Sequence, residues 1–137
     1  MMNTQSVLFS FSGAVKKHLR RGTELGYPTA NIDVEPKTPE GIFVGFAQID
    51  EVLYPSLIFV GKALTFDEHD KKAEIYILDF DTNIYGKEMK VICIQKIRDN
   101  MKFENKEALI AQMHDDERQA REYFNNQSSS RMRGSIL

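Results

Sequence analysis

The 137-residue sequence predicts an all-β domain, an antiparallel barrel or sandwich, with one helix packed on it at the C-terminal end. Residues 1–98 are rich in Val, Ile, Phe and Tyr and are interrupted at short intervals by Gly, Pro and Asp, which is the pattern of many short strands. The spacing of apolar residues becomes helical between residues 105 and 124. Hydrophobic residues make up 42% of the chain and charged residues 28%, values typical of a single globular domain.

The first three predicted strands are separated by turn-forming residues. Within residues 7–15, apolar residues alternate with serines, as in a strand with one buried face. Residues 41–50 (GIFVGFAQID) are apolar on both faces and predict a buried strand. Residues 57–60 predict a third strand, and Pro55 is expected at its start, where a missing N–H does least harm.

The remaining predicted elements are a pair of strands and the helix. Residues 74–80 and 88–98 flank a turn at residues 81–86, which predicts an antiparallel hairpin with a long loop. Residues 105–124 predict the helix, with Asn105 as its N-cap.

Two polar stretches near the C-terminus are expected to be solvated. The acidic run at residues 114–117 is interpreted as an exposed face of the helix. Residues 125–137 (NNQSSSRMRGSIL) are polar and small, and we predict a disordered tail there. Residues 1–124 would then form the folded domain.

Charge and cysteine content exclude several classes of protein. The net charge is −2, whereas a dedicated nucleic-acid binder is usually basic. Cys93, the single cysteine, excludes an internal disulfide framework, and its apolar neighbours indicate a small buried residue rather than a nucleophile. The chain has no run of about 18 apolar residues and no secretory signal. We therefore expect a cytoplasmic monomer without nucleic-acid or membrane partners.

Residues 16–27 (KKHLRRGTELGY) form a strongly basic segment between predicted strands. The segment could be a solvated surface loop, since lysine and arginine are mostly exposed. It could instead bind phosphate oxygens through its cations and the backbone N–H of Gly22. A nucleic-acid patch is the third interpretation, which the net negative charge disfavours.

The segment 28–31 (PTAN) follows at once and offers a metal site. In an extended chain, Thr29 and Asn31 lie two residues apart and point to the same side. A hydroxyl and an amide oxygen placed in this way can hold a hydrated Mg²⁺ beside a phosphate. The alternative is a turn in which both side chains bond their own backbone.

Glu74 is the candidate general base. It opens the predicted strand 74–80 on the same face as Tyr76, and it could accept a proton from a hydroxyl if that end of the strand closes over a ligand. The alternative is an ordinary solvated carboxylate, since glutamate is rarely buried. His69 lies in a charged loop with no second His or Cys at metal-binding spacing, so we expect it to be exposed.

Taken in order, these segments resemble the riboflavin kinase (flavokinase) family over about residues 12–124. The matching pieces are Gly13, 25–32 (LGYPTANI), Pro39, 41–43 (GIF), Gly61, 65–66 (TF), Glu74, 78–80 (LDF), 84–86 (IYG), 97–98 (IR) and 102–103 (KF). PTAN alone would be a weak match, whereas this many motifs in the right order and spacing are specific. The likeness is to the kinase domain of bacterial bifunctional riboflavin kinase/FAD synthetases.

The resemblance implies a six-stranded antiparallel Greek-key β-barrel, closed on one side by the C-terminal helix. It implies transfer of the ATP γ-phosphate to the ribityl 5′-hydroxyl of riboflavin, which gives FMN and ADP, with Mg²⁺ bound alongside ATP. The expected partners are therefore these small-molecule substrates. Phosphoryl transfer needs mainly positioning and charge neutralisation, so one base near the nucleophile suffices.

Carried over residue by residue, the resemblance assigns roles to individual side chains. Glu74 would be the catalytic base. The residues that would bind the nucleotide are His18, Arg21, Thr29 and Asn31, of which the last two would also hold Mg²⁺. The residues that would bind the flavin, in a loop that closes near it, are Arg98, Met101 and Phe103.

The sequence departs from the family pattern in the basic segment. Flavokinases usually carry a Gly-x-Gly pair there, whose backbone closes over the nucleotide, and by count His18 and Arg20 occupy those places. Side chains at such positions either block close approach or replace backbone donors with cationic ones. A non-catalytic flavin- or nucleotide-binding module on the same barrel is therefore the alternative function. The length leaves no room for the nucleotidyltransferase domain that converts FMN to FAD, so FAD synthesis is not predicted.

Overall fold

Six antiparallel strands and a long helix make up the fold in a computed structural model that describes residues 6–16, 29–66 and 69–136. The strands are β1 (Phe9–Ala14), β2 (Ala30–Asp33), β3 (Gly41–Ile49), β4 (Val52–Gly61), β5 (Lys72–Ile77) and β6 (Glu88–Arg98). A single 3₁₀ turn, Leu64–Phe66, follows β4, and helix α1 spans Lys106–Ile136. Neighbouring strands follow the order β1-β6-β3-β4-β5-β2.

The sheet curls into a nearly closed barrel because its two edge strands meet. Just beyond β1, the Lys16 N–H donates a hydrogen bond to the Asn31 carbonyl of β2 at 2.8 Å. A side chain at Gly13 would lie 2.7 Å from Cγ2 of Ile32, so glycine permits this close approach. The predicted six-stranded antiparallel barrel with a C-terminal helix is therefore confirmed, with the non-sequential neighbours of a Greek key.

Side chains alternate between the barrel interior and its outer face along most strands. In β5 three alternate residues are buried, while Glu74 and Tyr76 between them are half-buried on the outer face. Half-buried and exposed residues alternate in β1, as expected for residues 7–15. β3 is buried along most of its length, as predicted for residues 41–50. The same two-residue period that builds the core therefore turns Glu74 outward.

β3 and β6 approach each other closely where their register breaks. The pairing shifts between Ile42 and Phe43 and again between Val44 and Gly45. A Cβ at Gly45 would lie only 1.9 Å from the carbonyl oxygen of Ile92. Irregular pairing of this kind bends a strand and increases its twist, which helps a small sheet to curl into a barrel.

The predicted hairpin of residues 74–80 with residues 88–98 is wrong. β5 pairs with β4 and β2, whereas β6 pairs with β1 and β3. Residues 78–87 instead cross from one part of the barrel to another. Sequential strands often pair, but a strand with two neighbours carries no local signal that says which strands they are.

Pro55 lies inside β4 and not at its start. Asp50 and Glu51 both have positive φ, at 51° and 68°, so they form a tight hairpin turn and β4 begins directly after them. The Pro55 carbonyl accepts a hydrogen bond from the Leu78 N–H at 3.0 Å, where the ladder between β4 and β5 stops. The missing N–H therefore lies at the end of that ladder, a position that tolerates proline.

Helix α1 begins where predicted and extends further. The Asn105 Oδ1 accepts a hydrogen bond from the Ala108 N–H at 2.8 Å, which confirms the predicted N-cap. The helix packs against β4, and the rings of Phe124 and Phe46 lie 5.5 Å apart. The helix continues to Ile136, across the stretch predicted as a disordered tail, because each residue added to an existing helix gains a backbone hydrogen bond. No helix in the described part of the chain has the length and apolar character needed to cross a membrane.

Candidate active site

Three residues singled out in the sequence, Thr29, Asn31 and Glu74, meet on neighbouring strands. Asn31 in β2 is paired directly with Glu74 in β5. Thr29, immediately before β2, donates a hydrogen bond from its Oγ1 to Glu74 Oε1 at 3.3 Å. Residues that are distant in the sequence are thus brought together as a hydroxyl, an amide and a carboxylate.

Strand alternation explains why these polar side chains share the outer face of the barrel. In β2, Ala30 and Ile32 belong to the core, and they are 8% and 0% exposed. Thr29 and Asn31 therefore face outward, as Glu74 does on β5. The extended conformation expected for the PTAN segment is present from Ala30 onward.

Asn31 is a buried polar side chain with 6% of its surface exposed. Its Nδ2 donates to the Thr29 carbonyl at 3.4 Å, so the local backbone bond considered as an alternative is also present, although it is long. Within residues 6–16, 29–66 and 69–136, no donor bonds its Oδ1. A buried amide oxygen without a partner is costly unless a ligand satisfies it, so Oδ1 is suited to bind one.

A cleft of about 410 Å³ opens beside these residues. It is lined on one side by Thr29 and the inward residues of β5, and on the other by the segment 80–85 (FDTNIY). A hydrogen bond from the Gly86 N–H to the Val15 carbonyl at 2.9 Å holds this segment near the end of β1. Thr29 lines the cleft and also contacts Glu74, so it is the residue that the cleft and the polar cluster share.

The predicted flavin loop begins with Arg98, the last residue of β6, whose guanidinium is held by α1. Its Nε and Nη2 donate to Asp116 Oδ1 and Oδ2 at 2.8 and 2.7 Å. Its Nη1 donates to the Asp99 carbonyl at 3.1 Å. The guanidinium carbon lies 5.7 Å from the centroid of the Phe103 ring. Met101 is 49% exposed, so the loop presents an apolar side chain to solvent.

Two further hydrogen bonds hold this loop beside the C-terminal end of β4. That end of β4 pairs with the beginning of β5, so the loop lies close to Glu74. The Asn100 Nδ2 donates to the Lys62 carbonyl at 3.0 Å. The Phe103 N–H donates to Thr65 Oγ1 at 3.1 Å. Lys62 directly follows β4, whose last residues pair with the first residues of β5. The cleft and the loop after β6 thus flank the strand that carries Glu74.

Residues 17–28 lie outside the described ranges. They include His18 and Arg21, for which nucleotide binding is predicted, and Arg20, which stands where the family has a glycine. The phosphate-binding interpretation of the basic segment therefore stays a prediction. Its first residue, Lys16, is described and pairs with an aspartate of β2.

Sequence reasoning missed two features of this region. It placed residue 80 at the end of a strand and residues 81–86 in a turn, and it used parts of both as family motifs without expecting them to line a cleft, although a cluster of Asp, Thr and Asn between apolar strands was the available signal. It also interpreted residues 114–117 as an exposed face, which is wrong at Asp116, where only 2% is exposed. Helical spacing could have shown this, because Asp116 lies three residues after Met113 and four before the buried Ala120.

Burial raises the pKa of two side chains in the barrel wall, both of which are neutral near pH 7. Desolvation raises the pKa of Tyr76, and the charge of Glu117 adds to the effect, so this phenol is neutral near pH 7. Desolvation also raises the pKa of Cys93 to about 12, which keeps it a thiol and agrees with the expected apolar core role. His69 is exposed, as expected.

The donors near Glu74 suit a hard cation that is also bound by a ligand. No cluster of three or more His, Cys, Asp or Glu able to hold a metal occurs among the described side chains. A divalent ion here would therefore be held by few protein oxygens, as Mg²⁺ is when phosphates and water complete its coordination. The Thr29 hydroxyl and the Asn31 Oδ1 fit that donor set.

Comparison with known proteins decides the family. A sequence model of the flavokinase family, described as riboflavin kinase, matches residues 6–124. The chain belongs to this family. The match covers all six strands and α1 as far as residue 124, and it confirms the resemblance drawn from the sequence motifs.

The chain spans less than two fifths of the length of the curated relatives that it resembles most clearly. The trifunctional protein RibF/MnmA of Mycoplasmoides gallisepticum is 35% identical over 90% of this chain and 19% of that protein. The bifunctional riboflavin kinase/FMN adenylyltransferase of Listeria monocytogenes is 34% identical over 85% of this chain and 38% of that protein. The similarity therefore concerns one part of each larger protein.

Solved structures share the barrel. A Streptococcus pneumoniae structure described as a macrolide-efflux protein superposes with a TM-score of 0.69 at 34% identity, over 82% of this chain and 38% of that chain. Riboflavin kinase from Trypanosoma brucei superposes with a TM-score of 0.61 at 22% identity, over 90% of this chain and 83% of that chain. At that identity, the second likeness concerns the fold alone.

Proposed function

We propose that this chain is a riboflavin kinase that transfers the γ-phosphate of ATP to the ribityl 5′-hydroxyl of riboflavin and releases FMN and ADP. The observation that carries the proposal is the contact between Thr29 and Glu74, with Asn31 beside them. Phosphoryl transfer needs a base, oxygens that hold a metal ion and a cleft for the nucleotide. The described residues supply candidates for all three.

Glu74 is the proposed general base. As the 5′-oxygen forms its bond to the γ-phosphorus, the hydroxyl proton passes to the Glu74 carboxylate. The bond from the γ-phosphorus to the bridging oxygen breaks, and its electron pair leaves with ADP. Half-burial and the hydrogen bond from Thr29 restrict rotation of the carboxylate, which favours one orientation for proton transfer.

Thr29 and Asn31 are proposed to bind Mg²⁺ together with the phosphate oxygens of ATP. When bound, Mg²⁺ neutralises negative charge on the phosphates during transfer. The Thr29 hydroxyl can offer a lone pair to the ion while its hydrogen stays bonded to Glu74. The buried Asn31 Oδ1 supplies a second neutral oxygen from the same face of the barrel.

The cleft beside Thr29 is the proposed place of ATP. Its volume of about 410 Å³ is in the range of small-molecule sites. Its lining combines apolar residues of β5 with polar side chains from residues 80–85, which suits a molecule with an aromatic base and a sugar. His18 and Arg21 are proposed to add cationic donors to the phosphates.

The flavin is proposed to bind against the loop that follows β6. Met101 offers an exposed, flexible apolar side chain, and Phe103 offers a ring, both suited to a flat aromatic ligand. The two substrates would then approach Glu74 from the two loops that flank its strand. The proposal also includes a monomeric, cytoplasmic enzyme, because the single thiol needs no oxidising compartment.

The direct test is incubation of the purified chain with riboflavin, ATP and MgCl₂, with FMN measured by chromatography. FMN that appears with Mg²⁺ and disappears on addition of EDTA would support the kinase. Riboflavin binding without FMN would instead indicate the non-catalytic module that His18 and Arg20 in place of glycines favour. Failure to bind either substrate would overturn both functions.

A further inference from the structure

Asp116 attaches the loop after β6 to the middle of α1. It is only 2% exposed, and its carboxylate accepts both hydrogen bonds from Arg98 described above. Gln112, one turn earlier on the helix, donates a further bond from Nε2 to Asp116 Oδ1 at 3.1 Å. Because Arg98 is the last residue of β6, this ion pair fixes the first residue of the loop against the helix.

Three of the five N–H donors of Arg98 bond protein oxygens, one each on Nε, Nη1 and Nη2. Its Cζ also lies over the Phe103 ring, 5.7 Å from the centroid, so most of the side chain is engaged within the protein. A bidentate pair fixes the plane of the guanidinium, since both of its hydrogen bonds must stay in line with one carboxylate. The Phe103 ring contacts this fixed group through its face, so the position of the guanidinium bears on that of the ring.

A buried position such as this one can in general be filled without an ion pair. Apolar side chains of similar volume often stabilise a fold as well or better, because burying two charges removes their hydration. The ion pair does define a single geometry, whereas apolar contacts have no preferred direction. The geometry defined here is that of the loop that carries Met101 and Phe103.

We infer that Asp116 is a positioning residue for the flavin substrate. It holds Arg98, and through Arg98 the Phe103 ring, in the orientation that receives the isoalloxazine of riboflavin. The inference rests on the proposed riboflavin kinase function. It also changes the expected role of Arg98, which acts through Phe103 and not by its own contact with the flavin.

The test compares Asp116→Asn with Asp115→Asn in the full chain. Asp115 is a matched control, because its described hydrogen bonds join it to Arg118 and Gln119 of the same helix and to no other element, and it acts on Arg98 through charge alone, without a hydrogen bond. Asp116→Asn is expected to raise the KM and Kd for riboflavin about 10- to 100-fold, the effect of a small misplacement. The KM for ATP, and kcat at saturating riboflavin, should stay near the parent values in both variants. A riboflavin KM in Asp116→Asn equal to that of the control would overturn the inference.

Further variants separate positioning from direct contact and from unfolding. If Arg98 binds the flavin itself, Asp116→Asn frees its guanidinium and should leave the riboflavin KM unchanged or lower, which contradicts the inference. Asp116→Glu keeps a carboxylate and should recover part of the affinity. The double variant Arg98→Met/Asp116→Leu is expected to stay folded and to show the raised riboflavin KM. A parent-like riboflavin KM in that variant would also overturn the inference.

Riboflavin affinity can be measured without ATP, by quenching of flavin fluorescence. A parent chain that binds riboflavin but makes no FMN would refute the proposed kinase activity and leave the role of Asp116 open to the same comparison. A folded Asp116→Asn variant with unchanged riboflavin Kd, in a parent that makes FMN, would refute the positioning role alone.

Discussion

The loops after β5 and β6 are both attached to α1 by an arginine and an aspartate, but the two pairs differ in exposure to water. The Arg98–Asp116 pair after β6 is bidentate, and its side chains are 18% and 3% exposed. The Arg121–Asp79 pair after β5 is also bidentate, at 3.0 and 3.1 Å, yet its side chains are 37% and 76% exposed. A bidentate arginine–aspartate pair thus occurs once inside the protein, through Nε and Nη2, and once at its surface, through Nη1 and Nη2.

The difference shows that exposure to water, and not hydrogen-bond geometry alone, determines how much an ion pair contributes to the stability of the fold. Removing one partner of a buried pair leaves a charge without water and costs about 3–5 kcal/mol. Water and salt screen an exposed pair, which therefore contributes little. We expect the flavin loop to be fixed to α1 and the rim of the nucleotide cleft to be free to adjust around its ligand.

Glu74 lies between the two loops. A variant that lacks its carboxylate should lose turnover while both loops still bind their ligands, so it serves as the reference for variants of either loop. Glu74→Gln keeps the size of the side chain but cannot take the hydroxyl proton, so kcat should fall by about 10²- to 10⁴-fold. The Kd values for riboflavin and Mg-ATP should stay close to the parent values, because neither loop is altered. Initial-rate kinetics and equilibrium titration measure the two effects, and near-normal turnover would remove Glu74 from the mechanism.

The rate at which a thiol reagent modifies Cys93 shows how strongly each of the two ion pairs, Arg98–Asp116 and Arg121–Asp79, keeps the barrel closed. Cys93 is fully buried in β6, and its raised pKa keeps it unreactive in the folded chain, so a thiol reagent reports the open population. Asp116→Ala should speed modification by about 10²- to 4 × 10³-fold, the equivalent of breaking a buried pair. Asp79→Ala should leave the rate near that of the parent. Equal rates in the two variants would contradict the contrast between the pairs.

The nucleotide side can be weakened without altering the flavin loop. Asn31→Ala removes an oxygen proposed to hold Mg²⁺, and Thr29→Ala removes the hydroxyl beside Glu74. Each should weaken Mg-ATP binding by about 10-fold, and riboflavin binding less, in calorimetric titrations. Ser10→Ala, on the exposed side of β1, is the control for loss of a polar group. If riboflavin binding weakened more than nucleotide binding, the two ligands would have been assigned to the wrong sides.

The smallest effect on stability is expected for substitution of Asp79. Its dependence on acidic pH measures the contribution of the exposed Arg121–Asp79 pair. The hydrogen bond and charge of Arg121 hold the pKa of Asp79 below its ordinary value of 3.8. A carboxylate with a lowered pKa in the folded state stabilises that state above its unfolded pKa and loses this contribution as pH falls through the folded value. The stability difference between the parent and Asp79→Asn should therefore be small and constant at neutral pH, shrink below about pH 4, and shrink with salt. A difference that persists in high salt would show that the pair is shielded from solvent.

Local sequence patterns predicted the elements of this barrel better than their neighbours. Two-residue alternation located β1, a run that is apolar on both faces located β3, and a capping asparagine located the start of α1. The hairpin of residues 74–80 with residues 88–98 was wrong because pairing between distant strands leaves no local trace. Local sequence patterns also did not predict where the helix ends. The boundary at residue 124 between the folded domain and the tail stays a prediction.

The candidate site depended on long-range pairing in the same way. Spacing placed Thr29 and Asn31 on one face, but only the pairing of β2 with β5 sets them beside Glu74. The family resemblance anticipated that association, whereas spacing alone left a turn and a solvated carboxylate as alternatives. Asp116 escaped detection because an acidic run on a helix is usually solvated, and the partner that keeps it buried lies on another element.

The close approach of β6 to Gly45 limits which residues this position can accept during evolution. Any other L-amino acid there would bring a carbon atom against the Ile92 carbonyl, a backbone group that cannot turn aside as a side chain could. Replacement of Gly45 therefore requires β6 to move, and Arg98 lies at the end of β6. Gly45 takes no part in the proposed chemistry and does not contact the loop after β6. Substitution of Gly45 is nevertheless limited by that loop, because it would displace the strand on which Arg98 lies.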